Sequence, residues 1–319
     1  MSKKLYATFV LPAPHGCNLH CPYCVIDQRK EAVAPTLADD DFVYFLTDTL
    51  VGLPVTRFGI QGFEPLLPEV WPLTKRLLGV AGAFFCETSL VTNGTYLARY
   101  AKELGGFPGL VDSVTVSLDG ARAEVHDKLR GKTGAHKDAV EGLRVLRQNF
   151  RGTVAVNSVL FPNRVSFLAE MPQLLNTLGV REWIISPFIN LERETPVAQS
   201  AQLKDDMLTL CHTAEASGIR VLLSDELRLM EGDDLFKDFY VRSLESDEEI
   251  FRLSPDGSCS RGREILGVVG EAPVWNKAEK PAVFLERVFK ETGVSLQSRN
   301  SITRGLARWH ARRISKERR

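Results

Sequence analysis

Three cysteines fall within eight residues in the stretch Cys17-Asn18-Leu19-His20-Cys21-Pro22-Tyr23-Cys24, with three residues and then two between them. Thiolates this close together suit zinc or an iron–sulfur cluster. A closed zinc site asks for four protein ligands, commonly as two separated pairs, and the sequence has no second Cys/His pair at matching spacing. A four-iron cluster on three thiolates leaves one iron without a protein ligand, and an open position is what a metal needs to bind and activate a substrate. His20, adjacent to Cys21, is poorly placed to supply a fourth bond to the same cluster.

The elements that must hold this loop are strand-like apolar or alternating runs separated by helical stretches. The runs are Leu5 to Leu11, Thr56 to Ile60, Phe84 to Val91, Ser113 to Leu118, Thr153 to Leu160 and Glu182 to Ile189, with a seventh candidate at Ile219 to Ser224. Between them, Phe42, Phe45, Leu46 and Leu50, or Val140, Leu143 and Leu146, recur at helical spacing. Regular β-α alternation predicts parallel strands with helices outside, and six or seven units fall short of a closed eightfold barrel. The expected class is α/β, a partial (β/α)6 TIM-like barrel with a C-terminal α/β extension. Chemistry then belongs at the C-terminal ends of the strands. The polar segments sit there: "CNLHCPYC", "QGFEPLL", "TNG", "SLDG", "NSVLFPNR" and "SPF" follow or end strands one to six.

A chain of 319 residues with 44% hydrophobic side chains can build one large domain with an appended segment. Residues 1–223 are read as the core barrel and 224–319 as an extension that contributes to the substrate site. The net charge of zero hides an asymmetry. Asp225 to Glu249 holds ten acids against three bases, whereas Arg299 to Arg319 holds eight bases against one acid. Each run also suits a solvated face. No apolar run reaches the roughly 20 residues of a membrane span, and six sparse cysteines do not make a disulfide scaffold, so a cytoplasmic, reduced protein is expected.

A CxxxCxxC loop with an aromatic before its last cysteine, after the first strand of an α/β chain, resembles the radical S-adenosylmethionine (SAM) superfamily. The resemblance extends to "QGFEPLL" as the Gly-Gly-Glu-Pro element, "LVTNGTYL", "VTVSLDG" and "VHDKLRGKTGAH", over about residues 5 to 224. It implies one [4Fe-4S] cluster on Cys17, Cys21 and Cys24, with SAM on the open iron. One electron from an external flavodoxin- or ferredoxin-like reductant then yields a 5′-deoxyadenosyl radical that takes a hydrogen atom from substrate. It further implies Tyr23 beside the adenine through its backbone, Gly62 and Glu64 at the methionyl ammonium, and Asn93 in the cofactor site. Ser117 and Asp119 would serve the ribose hydroxyls, Arg130 the methionyl carboxylate, and Asn157 and the backbone at Ser186 to Phe188 the adenosine. One departure is Phe63, which stands where the element has its second glycine.

Only Cys211 and Cys259 lie beyond Cys86, too few for an auxiliary cluster, so the substrate radical must rearrange, eliminate or be quenched. Cys211 and Cys86 read as packing. Cys259 follows the turn residues Pro255, Asp256 and Gly257, which places it on a loop where its thiol can return a hydrogen atom. Abstraction from one face and return from the other inverts a stereocentre. This pattern resembles the radical SAM epimerases of neomycin-type aminoglycosides and of ribosomal peptides, and an acidic run suits a polycationic, polar small-molecule substrate. A dehydratase, decarboxylase or dehydrogenase of a sugar or nucleoside is the alternative. A further one is a non-catalytic metal protein with an RNA-binding tail, although no RNA-binding motif is present, and neither nucleic acid nor membrane is an expected partner.

Overall fold

The computed structural model describes residues 4–13, 16–24, 37–106, 110–161, 164–188, 201–223, 248–261 and 272–291. Nine strands form one sheet: β1 (Lys4–Phe9), β2 (Val55–Ile60), β3 (Glu87–Thr92), β4 (Ser113–Ser117), β5 (Thr153–Leu160), β6 (Glu182–Pro187), β7 (Arg220–Leu223), β8 (Glu248–Leu253) and β9 (Cys259–Arg261). Their order is β7-β6-β5-β4-β3-β2-β1-β8-β9. Strands β1 to β8 pair in parallel and β9 returns antiparallel on β8.

Sequential neighbours joined by right-handed crossovers place every connecting helix on the same face, so the sheet is singly wound. The helices are α1 (Asp39–Gly52), α2 (Trp71–Ala83), α3 (Leu97–Gly106), α4 (Ala123–Arg130), α5 (Ala135–Asn149), α6 (Met171–Thr177), α7 (Ala201–Ala216) and α8 (Pro281–Glu291). On the inner face, Tyr6 of β1 reaches over β2 to place its hydroxyl 3.1 Å from Ser89 Oγ of β3. A side chain on Gly59 would meet both groups at 2.8 Å. Contact between strands two apart is what a curled sheet permits, and the fold is an open, partial barrel.

The core lies between this sheet and its outer helices. On α1 the buried residues Phe42, Phe45, Leu46, Thr49 and Leu50 follow helical spacing. Phe45 packs edge-on to Phe9, Trp275 and Phe284 at ring-centroid distances of 6.0, 5.1 and 6.5 Å. β8 runs beside β1 over six register pairs, and the Ala282 N–H of α8 donates to Asp48 on α1 at 2.9 Å. The described part of the extension therefore shares the sheet and core of the barrel. Most of the acidic run, residues 225–247, and all of the basic tail, 299–319, lie outside the described residues. Among the described residues no helix is long and apolar enough to cross a membrane.

Two strand readings need correction. β3 begins at Glu87 because α2 continues to Ala83, Phe84 is its C-cap and Phe85 turns the chain at φ 61°. β8 and β9 were not anticipated. "EEIFRL" opens on two glutamates of the acidic run, and β9 is three residues long.

Candidate active site

The cysteine loop leaves β1 and is tied down from two sides. On one side is the end of β3. Asn93 Nδ2 donates to Asn18 Oδ1 at 2.9 Å and to Cys17 Sγ at 3.5 Å, and Asn18 Nδ2 donates to Thr95 Oγ1 at 2.8 Å. Asn93 Oδ1 in turn accepts from Thr95 N–H and hydroxyl at 2.9 and 2.7 Å. On the other side is the C-terminus of α4. The Arg130 carbonyl accepts His20 N–H at 3.2 Å and the Cys21 thiol at 3.7 Å. Gly131 follows in the left-handed region at φ 67°, and a Cβ there would lie 2.3 Å from the His20 carbonyl oxygen. Only glycine fits both conditions.

The three loop cysteines form no disulfide and are of intermediate burial. Burial raises the Cys17 thiol to about 11; the Asn93 amide opposes that rise and the Glu64 carboxyl adds to it. Cys21 is likewise raised by burial, with Arg130 pulling the other way. Metal binding must therefore displace protons from these sulfurs. Among the described residues no three His, Cys, Asp or Glu side chains converge as a single-ion site requires. Thiols serving three separate irons of a cubane need no such convergence, so the donor set fits a [4Fe-4S] cluster. His20 is exposed.

Beside the loop lies a buried polar hub. Asp119, 0% exposed, follows β4, forms an ion pair with Arg130 Nε at 2.8 Å, and accepts from Val159 N–H at 2.9 Å and from the Tyr23 hydroxyl. Its own N–H donates to His126 Nδ1 at 3.1 Å. The Arg130 guanidinium sits 5.6 Å from the Tyr23 ring centroid, in cation–π range. Burial works against the charge on Arg130, but the Asp119 carboxylate outweighs it and holds the guanidinium protonated. Burial lowers His126 to about 4, helped by Arg130, and so keeps it neutral.

Asp119 thus faces Arg130, Tyr23 and β5, and Arg130 has Asp119 as its ion-pair partner. Glu64 is fully buried and accepts from Leu66 N–H (2.9 Å), Thr92 Oγ1 (2.7 Å) and Asn93 N–H (2.6 Å), so it pins the ends of β2 and β3 together. Burial pushes its carboxyl up to about 7 despite those donors. Phe63 keeps the left-handed backbone of the glycine it replaces, φ 43° after Gly62 at 86°. For a bulky side chain that conformation costs about 1–2 kcal/mol.

Cys259 lies in β9 and not on a loop. It pairs with Leu253, which pairs with Phe9 on the helix-covered face. Residues directly opposite share a face, so this thiol points into the outer core and away from the mouth. It is 2% exposed, and burial raises it to about 12. Cys86 and Cys211 are buried packing residues.

The inner-face residues do meet. Ser117 is in register with Asn157, whose Oδ1 accepts the Ser186 hydroxyl at 2.8 Å. Past the ends of β5 and β6, Phe161 stands 5.0 Å from Tyr23 and 5.2 Å from Phe188, forming an aromatic wall. Asn18, Thr95, His126 and Phe161 were missed from sequence, and of Phe188 only the backbone was expected at the site. The two phenylalanines had a signal, since each directly follows a buried strand in "NSVLFPNR" and "SPF".

Residues 11–165 match the Radical SAM superfamily. The GTP 3',8-cyclase of Streptomyces coelicolor is 38% identical over 46% of this chain and 42% of the relative. The AdoMet-dependent heme synthase of Methanosarcina barkeri is 33% identical over 42% of this chain and 37% of the relative. The chain thus spans less than half the length of these curated relatives. The crystal structure of Streptococcus suis SuiB bound to S-adenosylmethionine shares the fold at TM-score 0.60 and 14% identity, over 85% of this chain and 63% of SuiB. With the cysteine loop fixed over the strand ends of a partial barrel, residues 11–165 form a domain of the Radical SAM superfamily, whose cofactors are a [4Fe-4S] cluster and S-adenosylmethionine.

Proposed function

We propose that the chain is a radical SAM enzyme that removes a hydrogen atom from a polar small molecule bearing hydroxyl, amide or anionic groups. What supports this reading is the placement of three part-exposed thiols beside a row of inner-face hydrogen-bonding side chains at the strand ends. Cluster and SAM together supply one-electron reductive cleavage of the sulfonium and, through it, hydrogen abstraction. In this reading Cys17, Cys21 and Cys24 each hold one iron, and the Asn93 amide donates to the Cys17 sulfur. Ser117, Asn157 and Ser186 offer hydroxyl and amide groups to adenosine or substrate. Tyr23, Phe161 and Phe188 exclude water from one side of the mouth. Arg252, near the C-terminal end of β8, shares the inner face with Thr8.

Epimerisation through Cys259 is not the reading this geometry favours, because that thiol is on the other face of the sheet. Small-molecule chemistry in the two curated relatives, a GTP cyclase and a heme synthase, agrees with a small polar substrate. The test is anaerobic reconstitution of the full chain. About four irons and four sulfides per chain are expected, and reduction with SAM should release 5′-deoxyadenosine. Zinc in place of iron, or an intact cluster with no 5′-deoxyadenosine, would overturn the proposal.

A further inference from the structure

The Asp119–Arg130 pair is nearly solvent-free, with side-chain exposures of 0% and 10%. Buried pairs of this kind give little net stability, since desolvation costs several kcal/mol per ion. What such a pair does supply is charge fixed in place. The fixed cation belongs to the same residue that grips the cysteine loop. Arg130 receives His20 N–H and the Cys21 thiol on its carbonyl and faces the Tyr23 ring with its guanidinium. Asp119 closes the ring by accepting the Tyr23 hydroxyl. It is itself held by Val159 N–H of β5 and by the bond from its own N–H to the His126 imidazole of α4. Three elements thus meet on one carboxylate, and the loop is joined to them through His20 and Tyr23, the bonds that remain when Cys21 gives up its proton.

We propose that Asp119 and Arg130 form an electrostatic latch that positions the cysteine loop and sets the reduction potential of the cluster it carries. This rests on the reading that Cys17, Cys21 and Cys24 hold the cluster. Reduction adds a negative charge beside Cys21, so a nearby cation raises the potential and a nearby anion lowers it. Both residues are positioning residues, acting on the cluster through charge and through Tyr23.

The test is a spectroscopic redox titration of the reconstituted full-length chain and its variants in the absence of substrate. Asp119→Asn removes the anion and should shift the potential upward, whereas Arg130→Gln removes the cation and should shift it downward. Arg130→Lys, which keeps both charges, should stay near wild type, and the double variant Asp119→Asn/Arg130→Gln, which removes both, should fall between the two single variants. A purely structural role would move both single variants the same way or not at all, and either result overturns the proposal. If the single variants do not fold, Tyr23→Phe decides. It keeps both charges and removes only the hydroxyl, so the potential should hold while cluster loss to a chelator speeds up roughly tenfold, about the worth of one hydrogen bond to a charged group. Unchanged loss in Tyr23→Phe overturns the latch. A wild-type chain that assembles no cluster refutes the assignment of the three cysteines, whereas an assembled cluster with no divergence refutes only the latch.

Discussion

The cysteine loop and the β8–β9 corner are both built around thiols just beyond a strand, yet they belong to opposite faces of one sheet. Cys17, Cys21 and Cys24 stay partly open among amides, a guanidinium and a phenol. Cys259 lies among Leu253, Phe251 and the aromatic cluster of Phe45, Trp275 and Phe284. The chemistry available to a cysteine here is decided by the parity of its position in the sheet, and the turn residues before it do not report that parity.

The largest effect should come from replacing any loop cysteine. Cys17→Ala, Cys21→Ala or Cys24→Ala should reduce bound iron and 5′-deoxyadenosine release to background, measured by iron assay and chromatography of the reduced protein with SAM. A variant that keeps full release would break the assignment of that thiol. Next, Phe45→Ala should lower stability by about 3–5 kcal/mol in denaturant unfolding, since it empties the centre of the outer core.

The buried hub should betray itself through pH. His126 has a folded value near 4, driven chiefly by burial and reinforced by Arg130, against an ordinary 6.5. As pH falls from 6.5 toward 4 the unfolded chain takes up a proton that the folded chain refuses. About 3 kcal/mol of stability is therefore lost across that window and is fully present above it. Urea titrations of the apo chain and of His126→Gln at pH 7 and pH 5 should differ by about 2 kcal/mol in their change with pH, the variant separating His126 from the opposite contribution of Glu64, whose carboxyl is raised to about 7. The smallest effect belongs to Cys259→Ala, about 1 kcal/mol for one buried sulfur, with turnover and deuterium incorporation in deuterium oxide unchanged. A variant that stops delivering solvent deuterium to the product would return the donor role to Cys259.

Strands β1 to β7 were legible because their alternation and spacing are local properties. β8 was hidden because its first two residues carry the charge of the acidic run, although the later Ile250, Phe251 and Leu253 pack as a strand. The cysteine loop was legible from spacing alone. The latch was not, because Tyr23 and Asp119 are 96 residues apart and neither sequence segment states which side chain will be buried. At Cys259 the turn itself was read correctly. Gly257 has φ 83°, and Ser258 N–H bonds to Asp256 Oδ1 at 2.8 Å. The turn returns the chain to the sheet, however, and places the next residue opposite Leu253.

The pairing of β1 with β8 has a consequence for biogenesis. The strand that launches the cysteine loop has β2 as one neighbour soon after it is made, but its other edge waits for a partner whose register begins at Lys4↔Glu248. During synthesis that edge of β1 stays open until β8 has been made, since long-range parallel pairing is slow and comes late. A ribosome-bound chain halted before β8 would therefore present the cysteine loop beside a strand with one unpaired edge.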